Sequence, residues 1–275
     1  MKKNFLFITI ICFSLISSAQ KTIDGLINAE KNFAAYSVAH GTRDAFLKFL
    51  DSSGIVFDQG KPVNGIEIWN KREKRPGILN WFPQYAEIAY SNDFGFTTGP
   101  WTFQSSLKDT VVARGNYTTV WHVAKNGEWK FLADLGVSNT PPQTDSFVSK
   151  KDNPIVKFEP GSLRSLLKTE KKFIKSCQRS IKDAYQKYMS TECFLNRNGG
   201  APAWFQDAYY GVWNSTPQKI QYTINGSGIA STGDLGYVYG TTLINGKTEN
   251  YLRIWRKGIG RKENEWRIAL EVLKY

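Results

Sequence analysis

Cysteine, methionine and histidine are scarce in this sequence, with three, two and two copies among 275 residues. His40 and His122 lie far apart and neither neighbours a cysteine, so no structural zinc set is expected. Outside the N-terminus there is no run of 18 or more apolar residues, which excludes a membrane-spanning helix in the mature chain. Gly-x-Ser-x-Gly and His-Glu-x-x-His are both missing. Gly226-Ser227-Gly228 continues as Ile229-Ala230-Ser231 and fails the dinucleotide fingerprint, while Gly240 stands one residue too far from Gly246-Lys247-Thr248 for a phosphate loop. Asn245-Gly246 reads instead as a hairpin turn. A hydrolytic triad, a nucleotide site and a cofactor are therefore not expected. Aromatic residues, by contrast, are plentiful: 17 Phe, 13 Tyr and 9 Trp supply ample material for packed cores.

The start of the chain reads as an address. Lys2 and Lys3 precede a mostly apolar stretch from Phe5 to Ser17, and Ser17-Ser18-Ala19 offers the small residues at which a signal peptidase cuts. Residues 1–19 are thus expected to be a signal peptide, with export to the periplasm or the cell exterior. The net charge of +12 is unevenly spread, because residues 163–275 carry 18 basic and 9 acidic side chains. Lys168, Lys171, Lys172, Lys175, Arg179 and Lys182 follow a helical face, so the excess reads first as solvated surface and only second as an anion-binding patch. No nucleic acid is expected as partner. Cys177 and Cys193 remain after processing, and an exported chain can oxidise such a pair. Closing that loop would contribute about 3 kcal/mol. Two buried thiols are the other reading.

The chain repeats itself. Glu30-Lys31-Asn32-Phe33 matches Glu170-Lys171-Lys172-Phe173, and Asp93-Phe94-Gly95-Phe96 with Gly99 matches Asp234-Leu235-Gly236-Tyr237 with Gly240. Asn116-Tyr117 with Trp121 matches Asn250-Tyr251 with Trp255, and Glu128-Trp129-Lys130 matches Glu265-Trp266-Arg267. The order is the same in both halves, so residues 20–137 and 163–275 read as two copies of one domain. The stretch 138–162, with Pro141, Pro142, Pro154 and Pro160, reads as a linker. Each copy opens with an apolar stripe at helical spacing, from Ile23 and from Leu163, and a second short helix follows at Thr42 to Leu50 and at Ser180 to Met189. Asn64 is placed to cap a third, from Gly65 toward Lys74. Alternating strands make up the rest, which predicts an α+β domain with helices on one face of a curved antiparallel sheet.

Pro62-Val63-Asn64-Gly65, Asp93-Phe94-Gly95-Phe96-Thr97-Thr98-Gly99 and Trp129-Lys130-Phe131-Leu132-Ala133-Asp134 resemble the SnoaL-like branch of the nuclear-transport-factor-2-like superfamily, to which ketosteroid isomerases also belong. The first copy carries nearly the whole pattern. The second replaces the Pro-Val-Asn-Gly segment by an aromatic, Gly-rich stretch from Asn196 to Trp213. The resemblance implies two tandem cone-shaped α+β barrels, each a bent sheet around its first helix with a cavity at the wide end. It also implies that the copies can pair through their sheets as an internal pseudo-dimer. Fold alone fixes no chemistry.

Within that frame Glu30 falls on the apolar stripe of its helix, as Glu170 does. It is either an acid projecting into the cone or a structural acid bonded to a Tyr or Trp of the sheet, and its recurrence favours the second. Asp134 shares a face of the last strand with Lys130 and is expected on the outer side, as Glu271 is with Arg267. Residues present in one copy only point more directly to function. Asp58 follows Ile55-Val56-Phe57 near the expected mouth of the cone, where a carboxylate suits proton transfer beside a carbonyl. Trp69, Trp81 and Trp101, with Tyr117 and His122, are candidate ligand-binding residues. His122 and His40 also read as structural, on a sheet face and at a helix end. The first expectation is a protein that binds an unidentified small apolar or aromatic molecule in copy one. The second is an isomerase, dehydratase or cyclase of the same fold working through Asp58 or Glu30, and the third a protein-interaction module.

Overall fold

The computed structural model describes residues 21–139, 149–152, 159–204, 206–257 and 265–275, so the signal-peptide stretch lies outside the described residues. The first helix, α1 (Ile23–His40), is capped by the Thr22 side chain, which accepts from the Gly25 amide at 3.1 Å. It stops at Gly41, whose φ of +91° breaks the helical path. Next come α2 (Thr42–Phe49), β1 (Leu50–Asp58) and β2 (Lys61–Asn64). Asn64 caps α3 (Gly65–Lys71) as its position predicts, accepting from the Glu67 amide at 3.0 Å. Strands β3 (Ile78–Trp81), β4 (Tyr85–Ile88), β5 (Phe94–Gln104), β6 (Ala113–Val123) and β7 (Trp129–Ser138) complete the first sheet.

The stretch read as a linker adds to that sheet, because β8 (Ser149–Asp152) pairs in parallel with β4. The second copy runs α4 (Leu163–Cys177), α5 (Ile181–Tyr188), β9 (Met189–Arg197), α6 (Gln206–Ser215), β10 (Gln221–Ile229), β11 (Leu235–Ile244), β12 (Lys247–Arg256) and β13 (Arg267–Leu273). Its sheet order is β10-β11-β12-β13-β9, and the first sheet runs β2-β1-β7-β6-β5-β4-β8 with β3 also on β5. Neither meander is purely antiparallel. The strand that leaves the helices, β1 or β9, lies parallel to the last strand of its copy. Asn245-Gly246 is the turn its sequence suggests, with φ of 51° and 79° between paired Ile244 and Lys247.

One irregularity recurs in both copies and decides which side chains face inward. Trp121 pairs with Phe131 but Val120 pairs with Ala133, so Leu132 is an extra residue on β7. Ala269 is the extra residue on β13, between the Trp255–Ile268 and Ile254–Leu270 pairs. Because side chains alternate with period two, one extra residue turns every later side chain to the other face. Phe131 therefore packs inside the first cone, while Ala133, Leu135 and Val137 pack outside it.

Those outward residues join the two copies. Phe96, Val120, Ala133, Leu135 and Val137 share a buried cluster with Leu235, Leu252, Ile254, Leu270 and Val272. This is the packing of an internal pseudo-dimer, sheet against sheet. Among the described residues one buried ion pair crosses it, Arg256 to Glu87, with the Tyr85 hydroxyl 3.0 Å from the same carboxylate oxygen. The charge excess of the second copy thus has an internal part, in buried Arg197, Arg253 and Arg256, while the six basic residues of the α4 and α5 face are exposed as expected. Among the described residues, no helix is long and apolar enough to cross a membrane.

Candidate functional site

Inside the first cone, α1 lies across the sheet and presents Glu30, fully buried, to its centre. Trp81 Nε1 donates to Oε1 at 2.5 Å, and Trp121 Nε1 donates to Oε2 at 2.8 Å. The Thr97 hydroxyl also donates to Oε2. Burial pushes the Glu30 carboxyl up to about 7, the neighbouring Asp134 adds to the rise, and the three donors oppose it. Its bonds to sheet tryptophans are those of a structural acid.

Below it opens a cavity of about 220 Å³ walled by Phe33, Phe46, Leu79, Trp81, Trp101 and Tyr117. Asp134 is the one carboxylate in the wall. Its sequence position on the Lys130 face suggested the outside of the barrel, and the extra residue at Leu132 corrects this by turning Asp134 inward, opposite Thr119. The Thr119 hydroxyl donates to Oδ2 at 2.8 Å, while burial pushes the carboxyl up to about 6. Tyr117, pushed far up by burial and by the nearby Glu30 charge, brings a hydroxyl with no well-formed partner. Gly136 completes the wall beside the Trp101 indole, whose Nε1 donates to Val137 O at 3.2 Å.

The other predicted residues lie elsewhere. Val56 packs into the cone core, but Asp58 at the rim pairs with Arg72 and lines a separate surface cleft with Trp69. The Arg72 guanidinium lies 4.5 Å from the Trp69 ring centroid, and Phe46 packs against the ring from within the core. His122 Nε2 is 2.8 Å from Asp51 Oδ2 and is not in the cavity wall. The structure therefore gathers Trp81, Trp101 and Tyr117 around one space, with Glu30 sealed behind them. Asp58, Trp69 and His122 are separated from it.

The second cone keeps the acids and fills the space. Register equates Asp134 with Glu271, Thr119 with Arg253, and Gly136 with Leu273. The same one-residue shift, here at Ala269, corrects the sequence-based side of Glu271 and turns it inward. Arg253 pairs with Glu170 and donates through Nε to Glu271 at 2.7 Å, and Arg197 pairs with the other Glu271 oxygen. Against the burial that would raise it, the guanidinium groups of Arg253 and Arg197 hold Glu271 below the usual carboxylate range. Trp255 Nε1 donates to Glu170 at 2.8 Å, as Trp121 does to Glu30. Leu273 is fully buried where Gly136 leaves room. Cys177 and Cys193 are both free, buried thiols within one hydrophobic cluster, so the bridge their spacing allowed is not formed. Burial pushes the Cys177 thiol up to about 12. Among the described residues, no three His, Cys, Asp or Glu side chains form a metal-binding group.

Helices laid across a bent sheet whose first strand runs parallel to its last make up each half. Solved structures of nuclear-transport-factor-2-like proteins are similar to about 40% of the chain. A protein of that kind from Shewanella oneidensis MR-1 superimposes with 20% identity and a TM-score of 0.33, over 41% of this chain and 96% of its own. A candidate ketosteroid isomerase from Parabacteroides distasonis ATCC 8503 does so with 19% identity and a TM-score of 0.32, over 42% and 85%. A nuclear-transport-factor-2-like protein from Cytophaga hutchinsonii ATCC 33406 gives 18%, a TM-score of 0.32, and 40% and 96%. No protein-family profile and no curated protein matches the chain. At such identities and TM-scores the likeness carries no chemistry.

Proposed function

We propose that the first nuclear-transport-factor-2-like cone binds a small, flat, largely apolar molecule that carries one polar group toward Asp134. The observation behind this reading is the aromatic cavity of about 220 Å³ with a single carboxyl in its wall. A cavity of about 150 Å³ takes one benzene, so this one suits a single ring with a short substituent. Gly136→Leu tests the reading, since it introduces the side chain that copy two has at Leu273. Single-ring probes such as p-cresol and benzaldehyde are expected to raise the melting temperature of the parent protein, by about 2.7 kcal/mol of stability at 100 times the dissociation constant. The Gly136→Leu protein is expected to fold and to lose that response. No response from the parent to any such probe would overturn the proposal.

A second reading, acid–base catalysis on the bound molecule, is favoured by one feature. Asp134 faces the cavity with its proton affinity raised to about 6, within the range that suits a general base or acid near neutral pH. Proton abstraction beside a carbonyl would use Asp134 as acceptor and the Tyr117 hydroxyl as donor to the developing oxyanion. Asp134→Asn is expected to abolish turnover of an isomerisable substrate while leaving probe binding within a few-fold. Turnover that survives this change would exclude Asp134 as the base.

We also propose that the chain is exported. The mature protein is then expected to begin at Gln20, which mass spectrometry of the secreted or periplasmic fraction would read directly.

A further inference from the structure

Pseudo-symmetry relates two corners of the interface between the copies, and only one of them is apolar. At the first corner Phe57 meets Tyr239, ring centroids 6.0 Å apart, beside the buried Leu252. The equivalent residues at the second corner are Asn196, Thr98 and Thr118, by the register of the parallel strands and by the repeated segments. Three positions that could have been filled by hydrocarbon thus carry an amide and two hydroxyls.

The amide is not satisfied there. Asn196 is 1% exposed, and its Nδ2 lies 3.4 Å from both the Thr98 and Thr118 hydroxyls. Its Oδ1 has no partner. Turning the amide over leaves its NH2 group unpaired instead, so one polar end lacks a protein partner in either orientation. A buried polar atom without a partner loses its hydration for no return, and a ligand is one way of restoring it.

Asn196 lines a cavity of about 180 Å³ between the copies. Tyr85, Thr98 and Asn116 come from the first copy, Phe194 and Trp204 from the second, and no lining residue is charged. The aromatic rings form one wall. Phe194 lies 4.6 Å from Tyr85 and 5.8 Å from Trp204 between centroids, and Trp204 is 48% exposed at the rim. Trp204 belongs to the Gly-rich segment that copy one lacks, so this pocket exists only because the copies differ. It is separate from the first cone.

We propose that this corner binds one uncharged, pyranose-sized polyhydroxyl ring, either a free monosaccharide or the end residue of a glycan. Sugar hydroxyls bond to the polar floor of Thr98, Asn116 and Asn196, and the C–H face of the ring lies on Trp204. The absence of charge disfavours ionic ligands, the amide and hydroxyl floor disfavours purely apolar ones, and the volume limits the enclosed part to one ring. An open cleft of about 660 Å³ shares Trp204, Pro202 and Ala201 with the pocket and gives a second sugar residue a path outward.

Calorimetric titration of the full mature chain with methyl β-D-glucopyranoside, methyl β-D-galactopyranoside, N-acetylglucosamine and their β-linked disaccharides tests this. At least one probe is expected to bind saturably at millimolar concentration or better, with a tenfold or greater loss in Trp204→Ala and in Asn196→Leu. Trp204→Ala removes an exposed ring and leaves the fold intact. Tighter binding of a disaccharide than of its monosaccharide identifies a glycan end, and equal binding identifies a free sugar. Gly136→Leu is expected to leave sugar binding unchanged, which separates this site from the cone. The proposal fails if no sugar saturates, if both Trp204→Ala and Asn196→Leu retain full affinity, or if Gly136→Leu abolishes binding.

Discussion

Arg253→Met lowers stability by about 3–5 kcal/mol, the usual effect of removing one partner from a buried ion pair. Arg253 is fully buried and is the only cation that reaches Glu170 among the ion pairs of the described residues. Glu271 retains Arg197, but Glu170 is left with only the uncharged Trp255 indole and Tyr251 hydroxyl. For a chain of this size the loss corresponds to a fall of roughly 10 °C in melting temperature. Adding Glu170→Gln to Arg253→Met is expected to recover much of it, since the orphaned charge is then gone. Thermal and urea unfolding of both variants distinguish the cases. Equal stability of parent and Arg253→Met would show that the Arg253–Glu170 pair does not stabilise the fold.

The first cone makes the stability depend on pH. Glu30 goes from an ordinary 4.5 to about 7 in the fold, so between these values the native state binds a proton that the unfolded chain has released. Unfolding free energy therefore falls as pH rises through that window, by about 3 kcal/mol for Glu30. Asp134 adds a contribution of the same sign between 3.8 and about 6. Glu271, held low by its arginines, works the other way, and its stabilisation is lost as pH falls through its folded value. The measurement is a difference. Stability of the parent minus that of Glu30→Gln, from urea melts across the window, is expected to drop by about 3 kcal/mol from pH 4.5 to above 7. A constant difference would show that Glu30 titrates normally.

Most of the fold could be read from the sequence because its signals were local and came twice. The helical stripes starting at Ile23 and Leu163, the Asn64 cap and the Asn245-Gly246 turn each follow from a few neighbouring residues. The short β3 and β8 carry no periodicity of their own, and pairing with a distant strand defines them. In the site, Trp81, Trp101 and Tyr117 were legible as aromatics special to copy one or to its strands. Asp134 was not, since strict alternation assigns it to the wrong face. A signal was present in Phe131-Leu132-Ala133 and Ile268-Ala269-Leu270, where three apolar residues in a row mark the change of face. Asp58 shows the converse, for its strand phase is right but the Arg72 that engages it comes from beyond α3, a contact that spacing does not encode.

The ion pair between Arg256 and Glu87 occurs on one side of the interface only. By the repeat, His122 stands where Arg256 does, and Gly228 stands where Glu87 does. Two second copies joined in this way would each bury an arginine against a glycine, with only the exposed Glu192 of its own copy, 3.9 Å away, as counter-charge. Two first copies would set His122 against Glu87 twice. The contact thus distinguishes self from non-self, and if the halves were made as separate chains they should choose each other over their own kind. What repeats in sequence is, at this surface, a pair of unlike parts.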